Sequence, residues 1–314
     1  MAENTQKRFG KMKTTKFLCI WTLVLLGLVA VSLPSNAQED AKKKKARKAV
    51  ANSRNFNFNL KYLRKNKDSG DDDLDFDVGG TGKNFMLVLA VDRYKYWKSL
   101  KNPVKDANDV KSILMKRYGF AQDNVYELYN EDVNLDKVQQ VFAKLKQKGS
   151  GVDNLFIYYS GHGYYDASFD EGYWVPSEGK IGKTASYIPN TKIKQYIKGL
   201  NHRHVFLVAD ACFSGSLFSE AHRGYIEKVE QVKSRWGLTS GNLEYVSDGK
   251  AGQNSPFASY LIKFLKDNLK DKFAVSELIQ YVTVAVADNT EQHPIGNPLK
   301  GVGNEGGQFV FRLK

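Results

Sequence analysis

Residues Asn154–Asp166 read NLFIYYSGHGYYD. Leu155 to Ser160 is a short, unbroken apolar and aromatic run, the pattern of a strand buried on both faces, as in a parallel sheet. The polar cluster SGHG (Ser160 to Gly163) follows it at once. A second stretch repeats the arrangement: HVFLVADACFSGS (His204–Ser216) places a buried strand, His204 to Asp210, directly before DACFSG (Asp210 to Gly215).

Outward from these two stretches, strands and helices alternate. FMLVLAV (Phe85 to Val91) and VYELY (Val125 to Tyr129) read as strands. Pro103 to Tyr118 carries Val104, Ala107, Val110, Ile113 and Leu114 at helical spacing, with Pro at its start and Gly119 at its end. Leu135, Val138, Val141, Phe142 and Leu145 mark a second helix ending near Gly149. Pro256 to Leu269 and Val275 to Ala287 predict two more, and GQFVFR (Gly307 to Arg312) a closing strand. Such βαβ order implies a mainly parallel sheet covered on both faces. Ligands of such sheets bind at the carboxyl ends of the strands, where SGHG and DACFSG fall.

Those clusters hold the makings of nucleophilic chemistry. A thiol attacks only as thiolate and needs a base to take its proton, and His is the natural one. His162 and Cys212 follow their strands at similar short distances, so neighbouring strands would raise both at one sheet edge. The amides of Gly163 and Cys212 can serve an oxyanion there, since the turn after a strand leaves N–H groups unpaired. Asp210 lies two before Cys212 and shares its strand face, which predicts an acidic pocket beside the nucleophile. Taken singly, each residue has an ordinary structural reading; their joint placement favours the chemistry. His202 and His204 enter a strand, His222 lies in a polar segment, and His293 precedes Pro294. No zinc-ligand cluster is present.

The paired SGHG and D-x-C-x-S-G motifs resemble the caspase-like cysteine peptidases, especially the metacaspase and bacterial caspase-homologue branch. That family separates His and Cys by about 50 residues, and 50 residues separate His162 from Cys212. The resemblance extends to VLAVDRYKYWKSLKNPVKDANDV (Val88 to Val110), GYWVPSEG (Gly172 to Gly179), GLTSGNLEYVSDG (Gly237 to Gly249), SPFASYLIKFL (Ser255 to Leu265) and the closing GQFVF, roughly residues 84 to 312. It implies a caspase-like α/β/α sandwich and a Cys212/His162 dyad with oxyanion donors at Gly163 and Cys212. It further implies an Asp, here Asp210, that selects Arg or Lys ahead of the scissile bond. Charge agrees: a guanidinium meets a carboxylate as a fork, and a buried carboxylate left unpaired costs roughly 3 to 5 kcal/mol. Asp166 and Asp170 are further candidates for that pocket, or residues of an exposed loop.

The expected activity is therefore that of a cysteine endopeptidase acting on a protein or peptide substrate, the alternative being a non-catalytic caspase-like binding or scaffold module. No cofactor is expected, and calcium stays optional, because the long acidic loop by which many metacaspases bind it has no match here. Residues 217 to 236 (LFSEAHRGYIEKVEQVKSRW) contain Arg223, Lys228, Lys233 and Arg235 and could be self-processed; a charged helix is the other reading.

Composition sets the remaining bounds. The 314 residues are 42% hydrophobic, which argues against wholesale disorder, and carry a net charge of +13. Five Lys/Arg within residues 1 to 37 stand against Glu3, so removing that segment leaves +9, of which Lys42 to Lys48 supply six. No basic stripe interleaved with aromatics follows residue 85, so no nucleic-acid partner is expected; an extracellular adhesin or nucleic-acid binder would rest on charge alone. Lys11, Lys13 and Lys16 precede a 17-residue apolar run, Phe17 to Leu33, and then Pro34, Ser35, Asn36 and Ala37. This reads as a signal peptide, 1 to 37, cleaved after Ala37, and an exported (periplasmic or secreted) protein; an uncleaved N-terminal anchor is the alternative. Residues 38 to 82 form a polar, charged linker whose Asp71 to Asp77 run lacks the Gly and closing Glu of a calcium loop. The peptidase-like domain is 83 to 314. Of two cysteines, Cys19 lies in the apolar run, leaving Cys212 alone and the exported chain without an internal disulfide.

Overall fold

The computed structural model describes residues 82–212, 217–218, 230–241 and 252–314. The expected signal peptide, nearly all of the linker with its Asp run, Phe213 to Ser216, His222, Arg223 and Lys228 lie outside the described residues.

The sheet that the apolar runs predict is present. Its order is β10 (Ile295–Pro298), β8 (Ser234–Gly241), β7 (His204–Cys212), β3 (Asn154–Ser160), β1 (Asn84–Ala90) and β2 (Val125–Tyr129). Pairs β8/β7, β7/β3, β3/β1 and β1/β2 are parallel; only β10 runs against its neighbour. Alternate residues of β1 feed two cores, as a doubly covered strand must. Phe85, Leu87 and Leu89 face one layer, built from α2 (Leu135–Lys148) and α3 (Asn190–Lys198). Met86, Val88 and Ala90 face the other, built from α1 (Pro103–Arg117), α4 (Pro256–Asp267) and α5 (Val275–Asn289). Each buried aliphatic or aromatic side chain contributes about 1.5–3 kcal/mol, which stabilises an α/β/α sandwich.

Local signals set the helix starts. Pro103 opens α1, Asn134 accepts from the Lys137 amide ahead of α2, and Ser255 accepts from the Ala258 amide ahead of α4. Beside the central sheet lie two small ones: β4 (Gly163–Asp166), β5 (Glu171–Trp174) and β6 (Ile188–Pro189), then β9 (Lys272–Ala274) with β11 (Val310–Arg312). The closing strand GQFVFR is thus shorter than expected and joins β9, where Phe273 stacks on Phe311, rather than the main sheet.

Candidate active site

Ser160 ends β3 as the registered partner of Asp210 in β7. His162 lies two residues beyond the first and Cys212 two beyond the second, so adjacent parallel strands deliver both to the same sheet edge, as the spacing predicts. The β7/β8 ladder shifts register between Ala209 and Cys212, releasing the end of β7 from regular pairing.

The backbone of His162 is clamped. Its N–H donates to Tyr94 Oη at 2.7 Å, and its carbonyl accepts from Tyr159 Oη at 2.7 Å and from the Val175 amide at 3.0 Å. Gly161 permits this: a Cβ there would sit 2.6 Å from Tyr94 Oη and 3.0 Å from Tyr159 Oη. The half-buried imidazole rests against Tyr94 and Trp97, with centroids 4.6 and 5.1 Å away. Its Nε2 is 2.7 Å from the Lys98 carbonyl. A carbonyl only accepts, so Nε2 carries a proton, and the neutral ring keeps its basic lone pair on Nδ1. Because the Val175 amide bonds the His162 carbonyl, antiparallel alternation puts Gly163, opposite Trp174, at a rung where its N–H turns away from β5.

On the α1/α4 side of the edge lies a buried acidic pair. Asp210 (6% exposed) accepts from Ser255 Oγ at 2.6 Å, and the amide of the same serine points at both carboxylate oxygens of Asp106 (1% exposed) at 3.2 Å. Asn254 Nδ2 bridges Asp106 and Asp109 at 2.8 Å each, and Lys105 pairs with Asp109. Burial first, and the charge of Asp210 second, push the Asp106 carboxyl up to about 7, against hydrogen bonds from Asn254 and Ser255. The buried Tyr158 hydroxyl feels the same field, its pKa pushed well above the usual value by burial and then by Asp210 and Asp106.

Sequence reading names Asp210 and misses Asp106. Asp106 occupies the buried stripe of α1 with Ala107 and Val110, and a carboxylate inside an apolar stripe is the signal that marks it. Asp166 and Asp170 belong to the β4–β5 turn and are used there: Asp166 accepts from the Ser168 amide at 2.9 Å and Asp170 from Tyr165 Oη at 2.6 Å. These bonds tie the half-buried Asp166 and the exposed Asp170 to the β4–β5 hairpin, and the carboxylate whose charge couples to Asp210 is Asp106 of α1. His204 bonds Ser234 and the Glu230 carbonyl, while His202 is fully buried against Phe85; burial lowers each to about 4, as suits structural histidines. Among the described residues no group of three or more His, Cys, Asp or Glu is placed to hold a metal ion.

A family model described as the caspase domain matches residues 83–300. The chain belongs to the caspase-domain family. Metacaspase-7 of Arabidopsis thaliana is 27% identical over 150 residues, covering 43% of this chain and 36% of that one. Metacaspase-1A of Aspergillus niger is 23% identical over 219 residues, covering 65% of this caspase-domain chain and 54% of the relative. The chain thus spans about a third to a half of the length of these curated relatives. Among solved structures, caspase-1 from Spodoptera frugiperda superposes with a TM-score of 0.50 at 14% identity, over 69% of this chain and 86% of that one. A Geobacter sulfurreducens protein gives 0.50 at 19%, over 72% and 99%. Both likenesses speak to the fold, the α/β/α sandwich described above.

Proposed function

We propose that this caspase-domain chain is a cysteine endopeptidase that cleaves peptide bonds after Arg or Lys. The observation that supports it is the Ser160–Asp210 rung, beyond which His162 and Cys212 each lie two residues further along; Ser255, bonded to both Asp210 and Asp106, adds the acidic pair. His162 Nδ1 takes the thiol proton, and the Cys212 thiolate bonds to the carbonyl carbon ahead of the scissile bond. The negative oxygen is held by the Gly163 and Cys212 amides. The C–N bond then breaks, His162 gives its proton to the departing amine, and an acyl-thioester remains. Water, losing a proton to His162, hydrolyses the thioester and restores the thiol. A guanidinium or ammonium ahead of the scissile bond neutralises the Asp106/Asp210 pair, two like charges that otherwise repel each other.

A peptidyl-arginine chloromethyl ketone tests this reading. Its adduct mass on Cys212, lost in His162→Ala and in Asp210→Asn and not formed by the aspartyl analogue, is the expected result. A well-folded, reduced protein that takes no label would favour the non-catalytic module instead.

Self-processing narrows to two positions of the linking segment. Arg235 is 0% exposed within β8, and the Lys233 carbonyl accepts from the Glu305 and Gly307 amides. Neither bond can enter an active site without unfolding, so Arg235 and Lys233 are set aside and Arg223 and Lys228 are the proposed sites. Export through the 1 to 37 segment is likewise proposed, supported by its basic start, apolar run and small residues at Ser35 and Ala37.

A further inference from the structure

The sheet edge divides two unlike environments. The acidic pair lies on the layer of α1 and α4. On the opposite layer the segment after β1, residues 91 to 102, folds beside His162, on the side of β3 away from β7. That segment is firmly held. Asn130 Oδ1 accepts from the Asp92 and Arg93 amides at 2.9 Å, Asp92 Oδ1 accepts from Val104, and the Lys95 amide donates to Ser177. It presents Trp97, half-buried, tilted 41° to the His162 ring and braced edge-on by Tyr187 at 5.9 Å. Next to it Tyr96 is 42% exposed, with the ammonium groups of Lys95 and Lys180 at 5.4 and 6.0 Å from its ring centre.

The proposed reaction says what meets this surface. His162 hands its proton to the departing amine, so the residue after the scissile bond must come to the imidazole; of the two rings against that imidazole Tyr94 is buried and Trp97 half-buried, and the exposed Tyr96 adjoins Trp97 in the chain. Resting on the peptidase reading, we propose that Trp97 and Tyr96 form the subsite for the residue following the scissile bond and that it takes an aromatic side chain. Ring-on-ring contact favours an aromatic occupant over alanine by about three- to tenfold, and the lysine rim disfavours a lysine there.

The test uses the full chain and internally quenched peptides with Arg before the bond and Phe, Ala or Lys after it, read as ratios of kcat/KM. The expected Phe:Ala ratio is about three to ten, with Lys slowest. Trp97→Ala brings the ratio to near one, Tyr96→Ala lowers it in part, and Trp97→Phe retains most of it. General damage to His162 would slow all peptides together and leave the ratios alone. A wild-type ratio near one, a ratio untouched by both alanine variants, or Lys as the fastest peptide would overturn the subsite while leaving the peptidase reading intact. No turnover even of the Ala peptide, together with no chloromethyl ketone label on Cys212, would overturn the peptidase reading itself and the subsite with it.

Discussion

Ser160 and Asp210 are registered partners at the ends of two adjacent parallel strands. From that rung, two further residues along each chain reach His162 and Cys212. The proposed base, nucleophile and specificity carboxylate thus all lie on that rung or within two residues of it, and each can be perturbed separately.

The clamp on His162 predicts a coupled pair of effects. Tyr94→Phe removes the acceptor of the His162 N–H and should lower kcat about tenfold with KM little changed, since a hydrogen bond of this kind is worth about 1–1.5 kcal/mol. Gly161→Ala should also lower kcat by driving a methyl against the Tyr94 hydroxyl. Because Tyr94→Phe deletes the clashing oxygen, the double variant should lose less than the two single losses combined. Full additivity in kcat would show that the clamp does not position His162.

Asp210→Asn and Asp106→Asn each remove half of the charge that would meet a guanidinium. Each should reduce kcat/KM on Arg peptides by about a hundredfold or more, the scale of breaking a buried ion pair, while labelling of Cys212 by iodoacetamide persists. Loss of alkylation along with peptidase activity would mean that these residues act on the thiol rather than on the substrate.

The Asp106 carboxyl, raised to about 7, sets a pH dependence whose sign is determined. A folded-state value above the unfolded one means that the empty protein binds this proton more tightly than the unfolded chain does. The stability it brings is fully present below the unfolded value of about 3.9 and lost as pH rises through about 7. A bound guanidinium favours the ionised form, so it should expel the proton. The groups around it are Asp210 on β7, Tyr158 on β3, Lys105 and Asp109 on α1, and Asn254 with Ser255 before α4. Inhibition by benzamidine should accordingly strengthen about tenfold for each unit that the pH rises towards 7 and level off above it, with proton release seen by calorimetry in two buffers; Asp106→Asn should flatten the profile.

Arg235 is a structural counterpart to these sites. Its guanidinium donates to the carbonyls of Arg203, Ser234 and His202, at 2.9, 2.8 and 2.9 Å, inside the protein. Desolvation lowers its pKa to about 10. Arg235→Met removes the guanidinium donor from all three carbonyls, of which that of Arg203 keeps its bond from the Ser234 amide, and should destabilise the fold by about 2–4 kcal/mol, read as a lower urea midpoint, with kcat/KM of the folded fraction unchanged.

How far the sequence carries is visible in particular residues. LFIYYS and HVFLVAD are continuous buried runs, and both return as β3 and β7 with the clusters at their carboxyl ends, because a strand covered on both faces leaves no alternation to misread. β8, SRWGLTSG, lacks that signature: Arg235, Thr239 and two glycines interrupt it, yet it is buried throughout by its partners and by the bonds of Arg235. The hairpin β4–β5 and α3 are short and polar, and their existence depends on packing around Trp174 and Ile193. Within the candidate site, the common sheet edge of His162, Asp210 and Cys212 is legible because each of two motifs follows a buried strand run. Tyr94 and Trp97 are not, since each reaches the site through contacts more than sixty residues away in sequence, and Asp106 is marked only as a carboxylate in an apolar stripe, its partners Asn254 and Ser255 lying far along the chain.

The central claim meets its most direct trial in the hydrolysis of short fluorogenic peptides ending in Arg, Lys or Asp by the chain lacking residues 1 to 37, beside Cys212→Ala. Turnover of Arg and Lys peptides, absent with Asp and abolished by Cys212→Ala, is the predicted result. Preference for Asp, or turnover that survives loss of the thiol, would contradict it.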